Sequence, residues 1–320
     1  MSNPNEDSSI QGYGHIFSRN PIDRGDRERR DENTLSNMAK LASSLFLPIR
    51  NLDLLVDTSG KDDSHRLKWI TLKELQERNV TSTPIFLGLL DGIYRFVIDV
   101  TGEHFQDQSL NAMNSQLRFI NVRTCGEILT PEDTGIAAQA RMQTHWHQQY
   151  TYCSSCGSAT SIGRGGQVRN CGTCKAQHFP RTDPVIIVVV YDKDRCLLGQ
   201  SRGRLQQTNT YSALAGFVDQ GESIEEAVAR EVKEEAGIKV KNVRYHSSQP
   251  WPLPYSLMIG CHAEALTTEI NMDLEEMTDV KWFSRDEVLE SLNGKTDVLR
   301  IPMKLAIAHH LIRSWAHNEI

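Results

Sequence analysis

Cys153, Cys156, Cys171 and Cys174 stand as C-x2-C-x14-C-x2-C, a spacing that dictates local structure before any apolar core is considered. Each C-x2-C pair needs a tight knuckle that points two thiolates at one centre, and the intervening excursion returns the second knuckle to complete a tetrahedron. Four thiolates leave no coordination position open, so a zinc held there is structural and not catalytic. The total of seven cysteines is odd, and clustering in one stretch favours metal ligation in a reducing compartment over a disulfide framework. Cys125, Cys196 and Cys261 stand apart and read as small buried hydrophobes.

The 320 residues suffice for two domains, or for two and a small module. The sequence divides into an irregular polar arm over 1–35, an N-terminal α+β domain over 36–150, the cysteine ribbon over 151–180 and a second α/β domain over 181–320. The mixed-sign run from Arg24 to Glu32 is expected to stay solvated. In the first domain Leu52 to Val56 and Tyr94 to Val100 read as strands, and Ala137 to Tyr150 as a helix. No catalytic motif appears there. In the second, the β-branched run Val185 to Val190 is a buried strand whose hairpin partner is Arg195 to Gln200. Glu222 to Ala236 has helical spacing and Gly237 as its stop. Strands follow at Leu257 to Ala265 and Val280 to Phe283, and a helix is expected from Pro302.

Charge and hydropathy exclude several classes. Lys+Arg 35 against Asp+Glu 41 gives a net charge of −6, whereas bulk nucleic-acid binders carry a basic excess. The longest apolar run, Val185 to Tyr191, is far short of the ~20 residues that span a bilayer, so no membrane partner is expected. The polar N-terminal stretch holds no apolar secretory region and the C-terminus is not an S-K-L address, so the expected compartment is the cytoplasm.

From Gly216 to Ile238 acidic residues far outnumber basic ones. Glu231, Glu234 and Glu235 stand at i, i+3 and i+4, which stacks three carboxylates on one side of a helix, a destabilising arrangement in isolation. A divalent cation removes that penalty, and hard oxygen donors favour Mg²⁺ or Mn²⁺. Arg230 is placed to orient the cluster by pairing with a carboxylate.

Gly216, Glu222, Arg230, Glu231, Val232, Glu234, Glu235, Gly237 and Ile238 fill G-x5-E-x7-R-E-U-x-E-E-x-G-U, and on these residues the segment resembles the box of the Nudix hydrolase superfamily. The resemblance implies an α/β/α sandwich whose glutamates bind Mg²⁺ or Mn²⁺ and hydrolyse a nucleoside diphosphate linked to another group. A second array, Ser248-Gln249-Pro250-Trp251-Pro252-Leu253-Pro254-Tyr255-Ser256, is similar to the S-Q-P-W-P-F-P-x-S segment of the NADH pyrophosphatase branch, with Leu253 in place of the usual Phe. That branch also carries a four-cysteine ribbon before the Nudix domain, and its members cleave the NAD cap from RNA 5′ ends as well. Asn20 to Arg24 is weakly similar to an N-terminal motif of bacterial members.

Carried over by position, the resemblance implies catalytic roles for Arg230, Glu231, Glu234 and Glu235. It implies metal ligation by the Ala215 carbonyl and by Glu231, Glu235 and Glu276. Substrate would be bound by Phe179, Gln249, Pro250, Trp251, Pro252, Leu253, Pro254, Tyr255, Ser256 and Ala308. The implied substrates are NADH and NAD⁺, cleaved to AMP and nicotinamide mononucleotide, and the 5′ end of NAD-capped RNA; the implied assembly is a homodimer. Two alternatives stand beside this. One is a Nudix hydrolase for another nucleoside diphosphate derivative, against which the Gln249 to Ser256 segment speaks. The other is a zinc-ribbon RNA-binding module on a vestigial Nudix fold, against which the intact glutamates speak.

Three other features carry no chemistry. His262 and Glu264 form an H-x-E, but deaminase chemistry needs a downstream P-C-x-x-C, and both cysteine pairs lie upstream. Gly163, Gly165 and Gly166 follow no strand of a βαβ unit and read as the turn of the zinc loop. His145, His147, His309 and His310 could serve as acid or base, but as lone histidines near helix ends they read as surface residues and stay unassigned.

Overall fold

The computed structural model describes residues 14–60, 65–103, 105, 116–296 and 298–320; the first thirteen residues of the expected polar arm lie outside them. The chain forms two compact units. Ile16–Arg181 with Trp251–Tyr255 make the first, and Thr182–Pro250 with Ser256–Ile320, joined by His15, make the second.

The sheet of the first unit contains β1 (Leu45–Arg50), β2 (Asp53–Asp57), β3 (Arg66–Leu67), β4 (Ile70–Thr71), β5 (Ile85–Leu90), β6 (Ile93–Asp99) and β7 (Leu117–Ile120). Its order is β3-β2-β1-β6-β5, with β4 on β1 and β7 on β2, and β1–β6 is parallel. Short helices α1 (Glu32–Met38), α2 (Leu72–Glu77) and α3 (Val122–Ile128) accompany it. The long α4 (Pro131–Gln149) begins six residues before the expected helix. Thr130 caps it and Pro131 occupies its first turn, where a missing N–H costs nothing. Phe46, Phe86, Phe96 and Ile98 fill the core. The ribbon follows as β8 (Thr160–Gly163), β9 (Val168–Cys171) and β10 (Gln177–His178), antiparallel in the order β10-β9-β8. A turn through Arg164–Gly166 joins β8 to β9, with Gly165 and Gly166 at positive φ.

In the second unit, β11 (Asp183–Asp192), β12 (Arg195–Ser201), β13 (Leu214–Phe217), β14 (Val240–Trp251), β15 (Ser256–Ala265) and β16 (Met277–Ser284) form one sheet. Its order is β14-β15-β11-β12-β16, with β13 on β11 and β15 parallel to β11. Helices α5 (Arg204–Gln207), α6 (Ile224–Ala236), α7 (Arg285–Leu292) and α8 (Ile307–Ala316) complete the unit. Successive side chains of a strand face opposite sides, and β11 uses both. Ile186, Val188 and Val190 pack with Ala227, Val228, Val232 and Ala236 of α6. Ile187 and Val189 pack with Ile307, Leu311, Ile312 and Trp315 of α8. A strand buried on both faces reads as a continuous apolar run, so the Val185 to Val190 pattern is the signature of an α/β/α sandwich.

Two further expectations fail. Within the Arg24 to Glu32 run, Arg29 is 1% exposed. Its guanidinium donates to the carbonyls of Arg24, Arg164, Gly165, Phe86 and Leu87 and lies over the Phe86 ring, 4.7 Å from its centroid. Carbonyl oxygens compensate the buried cation directly, and Asp26 and Glu28 add longer-range attraction. The final helix begins at Ile307 and not at Pro302, for a reason given by Gln249 below. Replacing Arg29 with Met should strand several carbonyls and cost about 3 kcal/mol, read as a lowered urea midpoint for the first unit. A midpoint within error of the parent's would show that the network contributes nothing.

Candidate active site

The acidic helix α6 begins with a reciprocal cap: the Ser223 side chain accepts from Glu226 N–H, and the Glu226 carboxylate accepts from Ser223 N–H. Gly237 closes it at φ 72°, in the left-handed region. The helix therefore starts one turn later than the acidic run, and Glu222 is free to fold back onto Arg230. The Arg230 guanidinium donates Nε to Glu222 Oε1 at 2.6 Å and Nη2 to Glu222 Oε2 at 2.9 Å. Nη1 reaches Glu231 Oε1 at 2.8 Å and Glu234 Oε2 at 3.0 Å, and Nη2 also reaches the Phe217 carbonyl at 2.8 Å. One cation thus ties three carboxylates and the preceding strand together. The Arg230 hydrogen bond holds the Glu222 carboxyl down at about 2.

The three glutamates do not share one environment. Glu234 is exposed and its carboxylate is taken by Arg230. Glu231 is half-buried, and burial pushes its carboxyl up against the opposing pull of Arg230. Glu235 is 7% exposed, its Oε2 has no hydrogen-bond partner, and its carboxyl is pushed up to about 8, first by burial and then by Glu231 and Glu276. Ala215 supplies a backbone N–H to Glu235. Its own strand pairs with β11 at Ile187, which places the Ala215 backbone beside the carboxylates. Gly216 follows, and a Cβ there would lie 1.9 Å from the Glu231 carboxyl carbon; only glycine admits that side chain. Glu276 is exposed at the start of β16 and acts electrostatically on both Glu231 and Glu235.

An unpartnered buried carboxylate oxygen, two further carboxylates acting on it and a backbone cut away to receive them fit a hard dication, which takes oxygen donors. The glutamates are not drawn as tightly as the thiolates. Among the described residues, the cysteines alone form a group whose ligand atoms all lie within 4.8 Å of one another. Cys153 and Cys174 Sγ are 3.6 Å apart, and Cys156 and Cys171 Sγ 3.5 Å, close to the roughly 3.8 Å edge of a tetrahedron with ~2.3 Å zinc–sulfur bonds. The His178 ring reaches Cys153 Sγ at 3.3 Å.

Other sequence-selected residues fall elsewhere. Phe179 is exposed in the first unit, which also holds Trp251–Tyr255. There Trp251 meets Phe17 edge-on at 6.0 Å, and Tyr255, buried, lies 5.5 Å from the His145 ring. Arg123 and Arg181 lie over Trp251 and Tyr255, and Arg141 donates to the Pro252 carbonyl. Pro252 is buried, Leu253 half-buried and Pro254 exposed. Pro250 and Ser256 belong to the second unit, as does Ala308, whose methyl is buried in the α8 core. Gln249 is completely buried.

His147 is buried, not superficial: its Nδ1 accepts from Arg169 and its Nε2–H donates to the Gly166 carbonyl. His262 is buried against the Leu311 carbonyl, away from any metal role. Phe217, 58% exposed beside Gly216, is a ring at the site that sequence reasoning passed over. Its signal was its place immediately after the first box glycine.

Residues 180–301 match the model of the NUDIX domain, and residues 43–146 match that of the NADH pyrophosphatase-like rudimentary NUDIX domain. The NAD-capped RNA hydrolase NUDT12 of Homo sapiens is 33% identical over 346 residues, covering 96% of this chain and 74% of the relative. The chain belongs to the Nudix hydrolases. The NAD-capped RNA hydrolase NudC of Stutzerimonas stutzeri is 34% identical over 263 residues, covering 81% of this chain and 88% of that protein. The mitochondrial NAD(P)H pyrophosphatase NUDT13 of Mus musculus is 42% identical over 213 residues, covering 63% and 60%. These relatives place this Nudix hydrolase in the NADH pyrophosphatase branch.

Two outcomes follow from the site. Because the Glu235 carboxyl lies above its ordinary value in the folded state, the folded protein holds the proton longer than the unfolded chain. The stability this confers is full at low pH and declines as pH rises from about 4.5 to about 8. In zinc-loaded protein free of other divalent ions, Glu235→Gln should therefore be the more stable form at pH 8, by roughly 2 kcal/mol or more. The gap should close toward pH 5 and on adding Mn²⁺, which stabilises only the parent; parallel melting curves across pH would contradict this. Metal analysis should find one zinc per chain, lost in Cys171→Ser.

Proposed function

We propose that this enzyme hydrolyses the pyrophosphate bond of NADH and NAD⁺, giving AMP and nicotinamide mononucleotide, and that it removes the NAD cap from RNA 5′ ends by the same cleavage. The observation that carries the reading is the buried, unpartnered Glu235 Oε2 beside Glu231 and Gly216, in a chain that also holds the Gln249 to Ser256 segment. Relatives named for both activities support it.

Glu231, Glu235, Glu276 and the Ala215 carbonyl would hold Mg²⁺ or Mn²⁺, and the cysteines a structural zinc. Bound there, the dication would neutralise phosphoryl oxygens and acidify a water. The protein's own groups set this up. Arg230 bonds Glu231 Oε1 and so orients the Glu231 carboxylate, and Glu222 fixes Arg230 in turn. By the same family resemblance Phe179, Trp251 and Tyr255 would bind the base and nicotinamide ends, and the proline-rich stretch costs little entropy to order. Water substitutes at phosphorus, the phosphoanhydride P–O bond breaks, and two mononucleotides leave without a covalent intermediate. We place the enzyme in the cytoplasm as a homodimer.

Incubation with NADH, NAD⁺, ADP-ribose and NAD-capped RNA in Mn²⁺ should release two mononucleotides from NADH. Glu235→Gln should lower turnover at least 100-fold while retaining fold and zinc. Undiminished turnover would remove Glu235 from the chemistry, and ADP-ribose as the preferred substrate would favour a different nucleoside diphosphate specificity.

A further inference from the structure

Gln249 lies on the inward face of β14 two residues after Ser247, and both side chains are polar and essentially unexposed. Burial of an amide is costly unless its hydrogen bonds are made. Gln249 makes them on either side of the α8 N-cap: its Nε2 donates to the Leu305 carbonyl at 2.8 Å, and its Oε1 accepts the Ile307 N–H at 2.8 Å. The residue at the N-cap of α8 is Ala306, which has no side chain to cap with. The cap comes instead from a neighbouring strand, and this is why the helix starts at Ile307 and not at Pro302. A second observation places the same contact. A Cβ on Gly260 of β15 would lie 2.9 Å from Ile307, 3.0 Å from Leu311 and 3.1 Å from the Ser247 carbonyl, so the sheet is cut back where the start of α8 rests. Ser247 is held in turn by His15 and His246, each 2.7 Å from its hydroxyl.

We infer that Gln249 is a positioning residue: it caps α8 from β14 and so fixes where the chain leaves the sheet for the proline-rich segment. It acts through α8 and not on the dinucleotide: its amide is wholly buried and is engaged at both ends. The inference rests on the proposed NADH hydrolysis only for its kinetic readout.

The test exploits the shape of the amide. A protonated carboxyl group at this position offers the same acceptor and one donor, whereas a carboxylate cannot donate to the Leu305 carbonyl. Gln249→Glu and Gln249→Ala are compared with the parent, all with zinc and Mn²⁺, between pH 8.5 and 6.5. At pH 8.5 both variants should melt below the parent and show an NADH KM raised at least fivefold, with kcat within about twofold. On acidification the Gln249→Glu deficits in melting temperature and KM should shrink, as the buried carboxyl takes up its proton, while those of Gln249→Ala stay constant. Identical behaviour of the two variants at every pH overturns the cap. A raised KM with unchanged melting temperature overturns it in favour of direct substrate contact, and a lowered melting temperature with unchanged KM leaves no positioning role. If the parent fails to cleave NADH, the functional reading falls, while the pH-dependent melting gap still decides whether Gln249 caps α8.

Discussion

A single guanidinium organises the acidic helix. Arg230 bonds to Glu222, Glu231, Glu234 and the Phe217 carbonyl at once, and without it the like charges at i, i+3 and i+4 would destabilise α6. The fork of an arginine suits this task, since its planar donors serve several oxygens in fixed geometry, which a lysine cannot do. Neutralisation is incomplete by construction. Arg230 reaches Glu222, Glu231 and Glu234 but not Glu235, whose carboxyl is buried, raised to about 8 and short of a partner at Oε2. The helix is stable enough to fold and still has an appetite for positive charge.

The surroundings serve that imbalance. Gly216 removes the side chain that would occupy the space of the Glu231 carboxyl, and the pairing of Ala215 with Ile187 anchors the loop to β11, the strand buried on both faces. The caps at Ser223 and Gly237 fix the helix length, so that the Glu231 and Glu235 positions are set by the same packing of Val228 and Val232 that builds the core. Folding energy and site geometry therefore come from neighbouring stripes of one helix, with Glu235 buried beside Val228 and Val232. The cysteine ribbon is a separate solution to a different problem: with three short strands it has little apolar surface, and a metal ion held by its four clustered cysteines would supply the cross-link instead.

Much of this could be read from spacing alone. Glu231 and Glu235 are one turn apart, the four cysteines have knuckle spacing, and the alternating environments of Ile186 and Ile187 follow from an unbroken apolar run. What escaped depends on partners distant in sequence. Arg29 sits among charges that suggest a solvated arm, but the carbonyls of Phe86 and Gly165 that bury it lie far along the chain. His147 looks like a surface residue at a helix end until Arg169 and Gly166 close on it. Gln249 reads as a pocket residue because its neighbours are aromatic and proline, whereas its amide belongs to α8. Local periodicity reveals which side chains are buried more readily than which polar groups they meet.

The most direct test is Mn²⁺ binding followed by electron paramagnetic resonance on zinc-loaded protein as a function of pH. Affinity should rise between pH 6 and 8, as the Glu235 proton is displaced, and should fall at least tenfold when Glu231 and Glu235 are both changed to Gln. Mn²⁺ bound equally well by that double variant, or with no dependence on pH, would show that these carboxylates are not the seat of the ion.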